Sequence, residues 1–271
     1  KFLGTPYAAP PVGRRRFQPP QEPLSWQGAK KATSYGFACP QYVFHADTTI
    51  ENQSEDCLFL DIYSPFENAH PHKEYPVLIF LHGGSYEVGS GRLYEGSVLV
   101  QHGVVVVSVS YRLGALGFMT SGDSHITGNN GLLDQIEAMK WVKANIRAFR
   151  GDPNHVTIVG HSVGAASVGL MLIIPQTEGL FHRVIAMSGS ATALYSDGYP
   201  PNLDHHEYVR QVSDLFGCPK HKDFEKVVEC LRKVPAQHFI TQREFVSYGA
   251  IEIILKLLTS CTCVVPSIRS N

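Results

Sequence analysis

The chain has 271 residues, 44% of them hydrophobic and 17% charged, with a formal net charge of −1. That length and apolar content are enough for a substantial core in one large or two small domains, and a charge near zero gives no electrostatic footprint for nucleic acid or an anionic membrane. No uninterrupted apolar run of 18 residues occurs; the nearest, residues 250–265, is broken by Glu252 and Lys256, which argues against a membrane-spanning helix there.

The chain begins Lys1-Phe2-Leu3-Gly4, without an initiator methionine, and reads as the interior of a longer protein. Residues 1–30 carry Pro6, Pro10, Pro11, Pro19, Pro20 and Pro23, which disfavours helix and predicts an extended segment wrapping a surface. Cys39 and Cys57 bracket 17 residues that include the glycosylation sequon Asn52-Gln53-Ser54, and Cys218 and Cys230 bracket 11. Two local cysteine couples and a sequon fit an oxidising secretory compartment, while four cysteines permit three pairings. Cys261 and Cys263 are left over near the end. Of the 13 histidines none falls in a metal-ligand spacing such as His-Glu-x-x-His, so no metal and no cofactor is expected; His70-Pro71-His72 and His205-His206 read as solvated loop residues.

From Tyr75 the pattern becomes αβ. Residues 76–81 and 104–109 are continuous apolar runs of strand length, as expected of strands covered on both faces. Leu132, Leu133, Ile136, Met139, Val142, Ile146 and Phe149 recur every three or four positions and predict an amphipathic helix over 132–149. A β-branched run, Val156-Thr157-Ile158-Val159, leads into Gly160-His161-Ser162-Val163-Gly164 and then a helix-compatible stretch, Ala165 to Ile174; Val184 to Met187 is one more strand. The alternation predicts an α/β fold with a mostly parallel sheet between helices.

A strand, Gly-x-Ser-x-Gly and a helix form the nucleophile elbow of α/β-hydrolases: small residues make room for a sharp turn that presents the Ser162 hydroxyl. The alternative at this pattern is a plain βα turn whose serine only caps the helix. A second motif, His82-Gly83-Gly84-Ser85, follows the first strong strand, where its backbone N–H groups and that of Val163 can hold an oxyanion. A glycine loop after one strand and an elbow after a later one are the two halves of a single acyl-transfer device, whereas either alone reads equally as a turn.

The segments Phe2 to Ala8, Pro10 to Gly13, Ser54-Glu55-Asp56-Cys57-Leu58, Tyr111-Arg112-Leu113-Gly114, Gly131 to Gln135 and Gly151-Asp152-Pro153 resemble the type-B carboxylesterase and cholinesterase family, over residues 2 to about 245. The resemblance implies an incomplete α/β-hydrolase fold over 1–246 followed by a divergent tail, 247–271, disulfides pairing Cys39 with Cys57 and Cys218 with Cys230, and structural ion pairs of Arg16 with Glu55 and Arg112 with Asp134. It implies Ser162 as nucleophile, Gly84, Ser85 and Val163 as oxyanion donors, and a small carboxylic ester as substrate. The triad order is serine, acid, histidine, and only 109 residues follow Ser162; the family's glutamate and histidine fall in a second half, so this chain is expected to be inactive alone and to be the product of a truncated or misassembled gene. His182, His205, His206, His221 and His238 match noncatalytic segments.

Departures from the active pattern point elsewhere. His161 stands where the esterases commonly have glutamate, and Ser85 where they have a third glycine, a position whose backbone a Cβ is expected to strain. His82 to Tyr86, Gly96-Ser97, and Gly122-Asp123 with Gly128-Asn129 resemble the noncatalytic adhesion branch, neuroligins and gliotactin, which implies a cell-surface protein partner and a secreted or outward-facing location; that branch lacks the serine that Ser162 retains. No tryptophan lies between Cys39 and Cys57 to hold a quaternary ammonium, which disfavours choline esters, and Tyr42 and Phe44 are groove or packing residues.

Overall fold

The computed structural model describes residues 1–42, 50, 52–65, 73–192 and 204–242; the tail from 247, Phe44, His70 and His72 lie outside them. The strands are β1 (Phe2–Pro6), β2 (Phe59–Tyr63), β3 (Tyr75–Leu81), β4 (Val105–Val109), β5 (Gly151–His161) and β6 (Arg183–Met187), hydrogen-bonded in the order β1-β2-β4-β3-β5-β6. The pairs β4–β3, β3–β5 and β5–β6 are parallel, while β1–β2 and β2–β4 are antiparallel. The sheet is therefore mixed, flanked by helices, as an incomplete α/β-hydrolase fold requires.

The apolar runs account for the middle of it. All five residues of β4 are buried, and β3 buries Val77, Ile79 and Leu81 on one face. Its other face is partly covered: Phe80 packs on Tyr94 with ring centroids 4.4 Å apart. β5 is longer than residues 156–159 because it starts at Gly151, and a register shift between Tyr75 and Val77 absorbs Pro153, which cannot donate to a ladder. β6 forms the open edge of the described sheet, with Ile185 46% and Met187 39% exposed. The proline-rich start is more ordered than a wrapping segment: Phe2–Pro6 is a strand, joined to β2 where the Gly4 N–H donates to Asp61 at 2.8 Å.

The helices are α1 (Gly114–Phe118), α2 (Asn130–Asn145), α3 (Val163–Met171), α4 (His205–Leu215), α5 (Phe224–Leu231) and α6 (Ala236–Thr241). The helix anticipated over 132–149 is α2 plus a 3₁₀ turn, Ile146–Phe149, and the one over 165–174 is α3, which starts two residues earlier and ends three residues earlier. The main core lies on the sheet. A second apolar cluster joins Phe17, Leu116 and Met119 to Val209, Val212, Val228 and Phe239 of the last three helices. His205 and His206 are not loop residues, as their sequence context indicated, but the first turn of α4, which Asp204 caps by accepting the Glu207 N–H at 3.0 Å.

Cross-links hold the parts together. Cys39–Cys57 and Cys218–Cys230 are both bonded, the pairing the resemblance implied. Arg112 grips Asp134 with two bonds, Nε to Oδ2 at 2.8 Å and Nη2 to Oδ1 at 2.7 Å, with both side chains buried. Arg16 pairs in the same bidentate way with Glu55 and also donates to the carbonyls of Leu231 and Val234, which ties the proline-rich segment to the second cluster. These are positioning interactions, since a buried pair repays about its own desolvation.

Asp61 sets a pH dependence. Burial lifts its carboxyl from 3.8 to about 6, against the Gly4 N–H and Arg92, which favour the charge. The native state therefore holds this proton more tightly than the unfolded chain, and the group's contribution to stability falls as pH rises from about 4 to 6, by about 3 kcal/mol in all. Asp61→Asn keeps an acceptor for Gly4 and removes the titration. Denaturant unfolding at pH 4 and pH 7 is expected to shift in the variant's favour by about that amount between the two, and parallel profiles would contradict the assignment.

Candidate active site

The register Leu81↔Gly160 brings the carboxyl ends of β3 and β5 side by side. The sheet order makes this a switch point, because β4 lies on one side of β3 and β5 on the other; in open α/β sheets ligand crevices form at such points. The residues that leave these two strand ends are His82-Gly83-Gly84-Ser85 and Ser162.

Ser162 sits between β5 and α3 at φ 55°, ψ −121°, a conformation that costs a non-glycine residue about 1–3 kcal/mol. Its side chain makes no cap hydrogen bond, so it does not serve α3 as an ordinary N-cap serine would. Its N–H donates to Met187 at 2.9 Å, and its carbonyl accepts the N–H groups of Ala165 and Ala166, so the backbone is pinned while the half-buried hydroxyl is presented. The flanking glycines are required for space. A Cβ at Gly160 would lie 2.0 Å from the Gly164 carbonyl oxygen, and one at Gly164 would lie 2.2 Å from that of Leu81.

The glycine loop turns through left-handed backbone at Gly84 (φ 114°), Ser85 (φ 58°) and Tyr86 (φ 57°). Only the first of these needs glycine, since 58° lies in the small left-handed region open to other residues; Ser85 thus keeps the turn that its Cβ was expected to strain. The N–H groups of Glu87 and Val88 close the turn on the Gly84 carbonyl at 2.9 Å. The loop touches the elbow: a Cβ on Gly83 would come within 3.0 Å of the Ser162 Cβ. Among the described residues no hydrogen bond takes up the N–H of Gly84, Ser85 or Val163; the last is in the first turn of α3, where N–H groups have no intrahelical partner.

Side chains that motif reading missed hold the loop in place. Tyr86 Oη donates to the Val163 carbonyl at 2.9 Å and lies 2.9 Å from Ser167 Oγ, bolting the loop to α3. Buried Gln41 donates to the Gly89 carbonyl at 2.8 Å and accepts the Gly89 N–H at 2.7 Å, which anchors the loop's far end beside the Cys39–Cys57 bridge. His82 is buried on Tyr111, rings 4.3 Å apart, and burial pushes its pKa down to about 4 although the Gly83 carbonyl favours the protonated form. It is neutral at pH 7, with the Nδ1 proton assigned by its contact at 2.8 Å to that carbonyl. The only signal for these residues in the sequence was position: Tyr86 directly follows the loop, and Gln41 follows Cys39 by two.

No histidine or carboxylate among the described residues hydrogen-bonds to Ser162 Oγ. His161 is exposed. His182 Nδ1 accepts the Val156 N–H and His221 Nδ1 the Asp223 N–H, while His238 lies in α6 near Phe216. Tyr42 is 36% exposed at the edge of the described loop, and Asn52 is exposed.

A mixed sheet with a glycine loop and a serine elbow at its switch point is the architecture of a carboxylesterase, and the Carboxylesterase family profile matches residues 1–260: the chain belongs to that family. Neuroligin-2 of Homo sapiens is 40% identical over 293 residues, covering 93% of this chain and 34% of the neuroligin. Neuroligin-3 of Mus musculus is 36% identical, covering 93% and 35%. Esterase E4 of Myzus persicae is 45% identical over 240 residues, covering 87% of this chain and 42% of the esterase. The chain thus spans about a third of the length of these neuroligins.

The strain at Ser162 has a measurable consequence. Ser162→Gly removes the Cβ from an unfavourable conformation, whereas Ser162→Ala retains it. The glycine variant is expected to be more stable than the alanine variant by about 1 kcal/mol despite glycine's larger unfolded-state entropy. Denaturant midpoints measure the difference, and an alanine variant at least as stable as glycine would show the turn to be unstrained.

Proposed function

We propose that this chain carries the nucleophile and oxyanion portion of a carboxylic ester hydrolase. Ser162 Oγ attacks the ester carbonyl, and the developing oxyanion is received by the N–H groups of Gly84, Ser85 and Val163. The observation that carries this reading is the coincidence, at one switch point, of a strained serine whose hydroxyl caps nothing and three N–H groups that no described residue uses. Strained backbone with unspent donors is what a preorganised acyl-transfer site needs, and removal of one such donor costs about 10²–10³ in rate where it has been tested. Activation is the missing half of the chemistry: a serine hydroxyl without an adjacent base is a poor nucleophile at neutral pH. We assign the acid and the histidine to the portion of the family's length that this chain does not span. The two disulfides and the exposed Asn52 sequon support a secretory route and an extracellular location.

A second reading is a noncatalytic adhesion protein with a cell-surface protein partner. The match to Neuroligin-2 over 93% of the chain and the Gly-Gly-Ser-Tyr loop favour it.

Of two measurements, the first is expected to give the same result under both readings and the second decides between them. The 271-residue chain incubated with a chromogenic short-chain ester is expected to show no turnover that Ser162→Ala abolishes; such turnover would mean that a base is already present. In the full-length protein a fluorophosphonate is expected to label Ser162, read by peptide mass mapping. A full-length protein that leaves Ser162 unlabelled beside a reactive control hydrolase would overturn the esterase reading in favour of adhesion.

A further inference from the structure

Asp123, His125 and His206 meet where the loop after α1 faces the start of α4. Asp123 Oδ2 lies 2.9 Å from His125 Nδ1 and 2.6 Å from His206 Nε2, and the three donor atoms fall within 4.8 Å of one another. None of them has a role in the ester site. We propose that these three side chains bind a zinc ion that joins the 120–126 loop to α4.

The geometry needs a modest rearrangement. A tetrahedral ion with Zn–N of about 2.0–2.1 Å and Zn–O of about 2.0–2.2 Å holds its donors roughly 3.3 Å apart, so both imidazole nitrogens move away from Asp123 Oδ2 by less than about 1 Å and settle at that same spacing from each other, from a starting set that lies within 4.8 Å. Each imidazole presents a lone pair by placing its proton on the other ring nitrogen or releasing it to solvent, and the carboxylate contributes the charge. Two imidazole nitrogens and one carboxylate oxygen suit zinc; magnesium and calcium prefer all-oxygen sites. The side chains are 34%, 35% and 43% exposed for Asp123, His125 and His206, which leaves the fourth position open to water.

The surroundings orient the ligands. Asp123 Oδ1 accepts Ser121 Oγ–H at 2.5 Å and the His125 N–H at 2.9 Å, so the carboxylate is held by one oxygen and offers the other. Ser121 Oγ also accepts the Ile126 N–H at 2.9 Å, and Thr120 Oγ1 donates to the Ile126 carbonyl at 3.1 Å, which closes the loop on itself. Phe224 of α5 fixes both rings: His206 stacks on it at 4.1 Å with a 13° interplanar angle, and His125 meets it edge-on at 5.2 Å. The positive N-terminus of α4 opposes a cation, weakly at a partly exposed site. Asp204 and Glu207 in that first turn offset it. The site is invisible to motif reading because Asp123-x-His125 has no standard spacing and His206 comes 81 positions after His125.

The test uses the purified chain stripped with EDTA and titrated with zinc against a chromophoric chelator. One equivalent is expected to bind with a micromolar Kd, and saturating zinc is expected to raise Tm by roughly 5 °C. Asp123→Asn and His206→Ala are expected to weaken binding at least tenfold and abolish the Tm rise, while His102→Ala and His155→Ala change neither. Cobalt added to the unsubstituted chain gives a check that no variant's folding can disturb: visible absorption well above that of the aqua ion is expected. An aqua-like cobalt spectrum, zinc binding weaker than about 100 μM, or binding that survives both ligand substitutions would overturn the proposal.

Discussion

The parallel pairing of β3 with β5 is the constraint on which the rest of the site depends. Register is quantised: a one-residue slip would turn every side chain of β5 to the other face. With Leu81 opposite Gly160, the chain leaves β3 as a glycine loop where it leaves β5 as the serine turn. The contact between the two strand exits is close at the backbone, and it is why Gly83 and Gly164 carry no side chain, while Gly160 lacks one because the turn into α3 folds back on it. Tyr86 and Gln41 then fix the loop against α3 and against the first disulfide loop, so the donors are held by groups outside the glycine motif itself.

The energetics separate position from activity. The main core, the buried Arg112–Asp134 pair and two disulfides supply a rigid frame, and the frame sustains Ser162 in a backbone conformation that is locally unfavourable. In the proposed esterase reading that cost serves to present a hydroxyl beside N–H groups that no described residue uses. It does nothing to lower the pKa of the hydroxyl, for which a neighbouring base is needed. His82, the histidine built into the loop, cannot supply it: it is buried against Tyr111 and turned toward the Gly83 carbonyl. The architecture and the family are therefore firmly defined, while activation of the serine is a separate matter.

Much of this was legible in residues. Val104 to Val109 and Pro76 to Leu81 could hardly be anything but buried strands, and glycines around Ser162 after a β-branched run mark the elbow because few other residues fit such a turn. β2 carries no clear strand signal because Asp61 interrupts its five residues, and β1 lies in a proline-rich stretch that reads as an extended, wrapping segment rather than as a sheet strand. The first turn of α4 carries a capping pattern, Asp204-x-x-Glu207, whereas the polar pair His205-His206 beside it resembles a solvated loop. Gln41 with Gly89 and Tyr86 with Val163 are 48 and 77 positions apart, and His206 with Asp123 is 83; contacts at such separation leave no local periodicity to detect. Strain expected at Ser85 is absent for a local reason, since its modest positive φ admits serine where that of Gly84 next to it favours glycine.

Convergence of Ser162 Oγ with the three backbone N–H groups, as proposed, can be tested without turnover by a crystal structure with a small alkyl boronic acid. Boron is expected to be bonded to Ser162 Oγ with one boronate oxygen at hydrogen-bond distance from the N–H groups of Gly84, Ser85 and Val163. An adduct whose oxygens all point to solvent, or a serine left unmodified with Gly84 and Ser85 turned away, would contradict it.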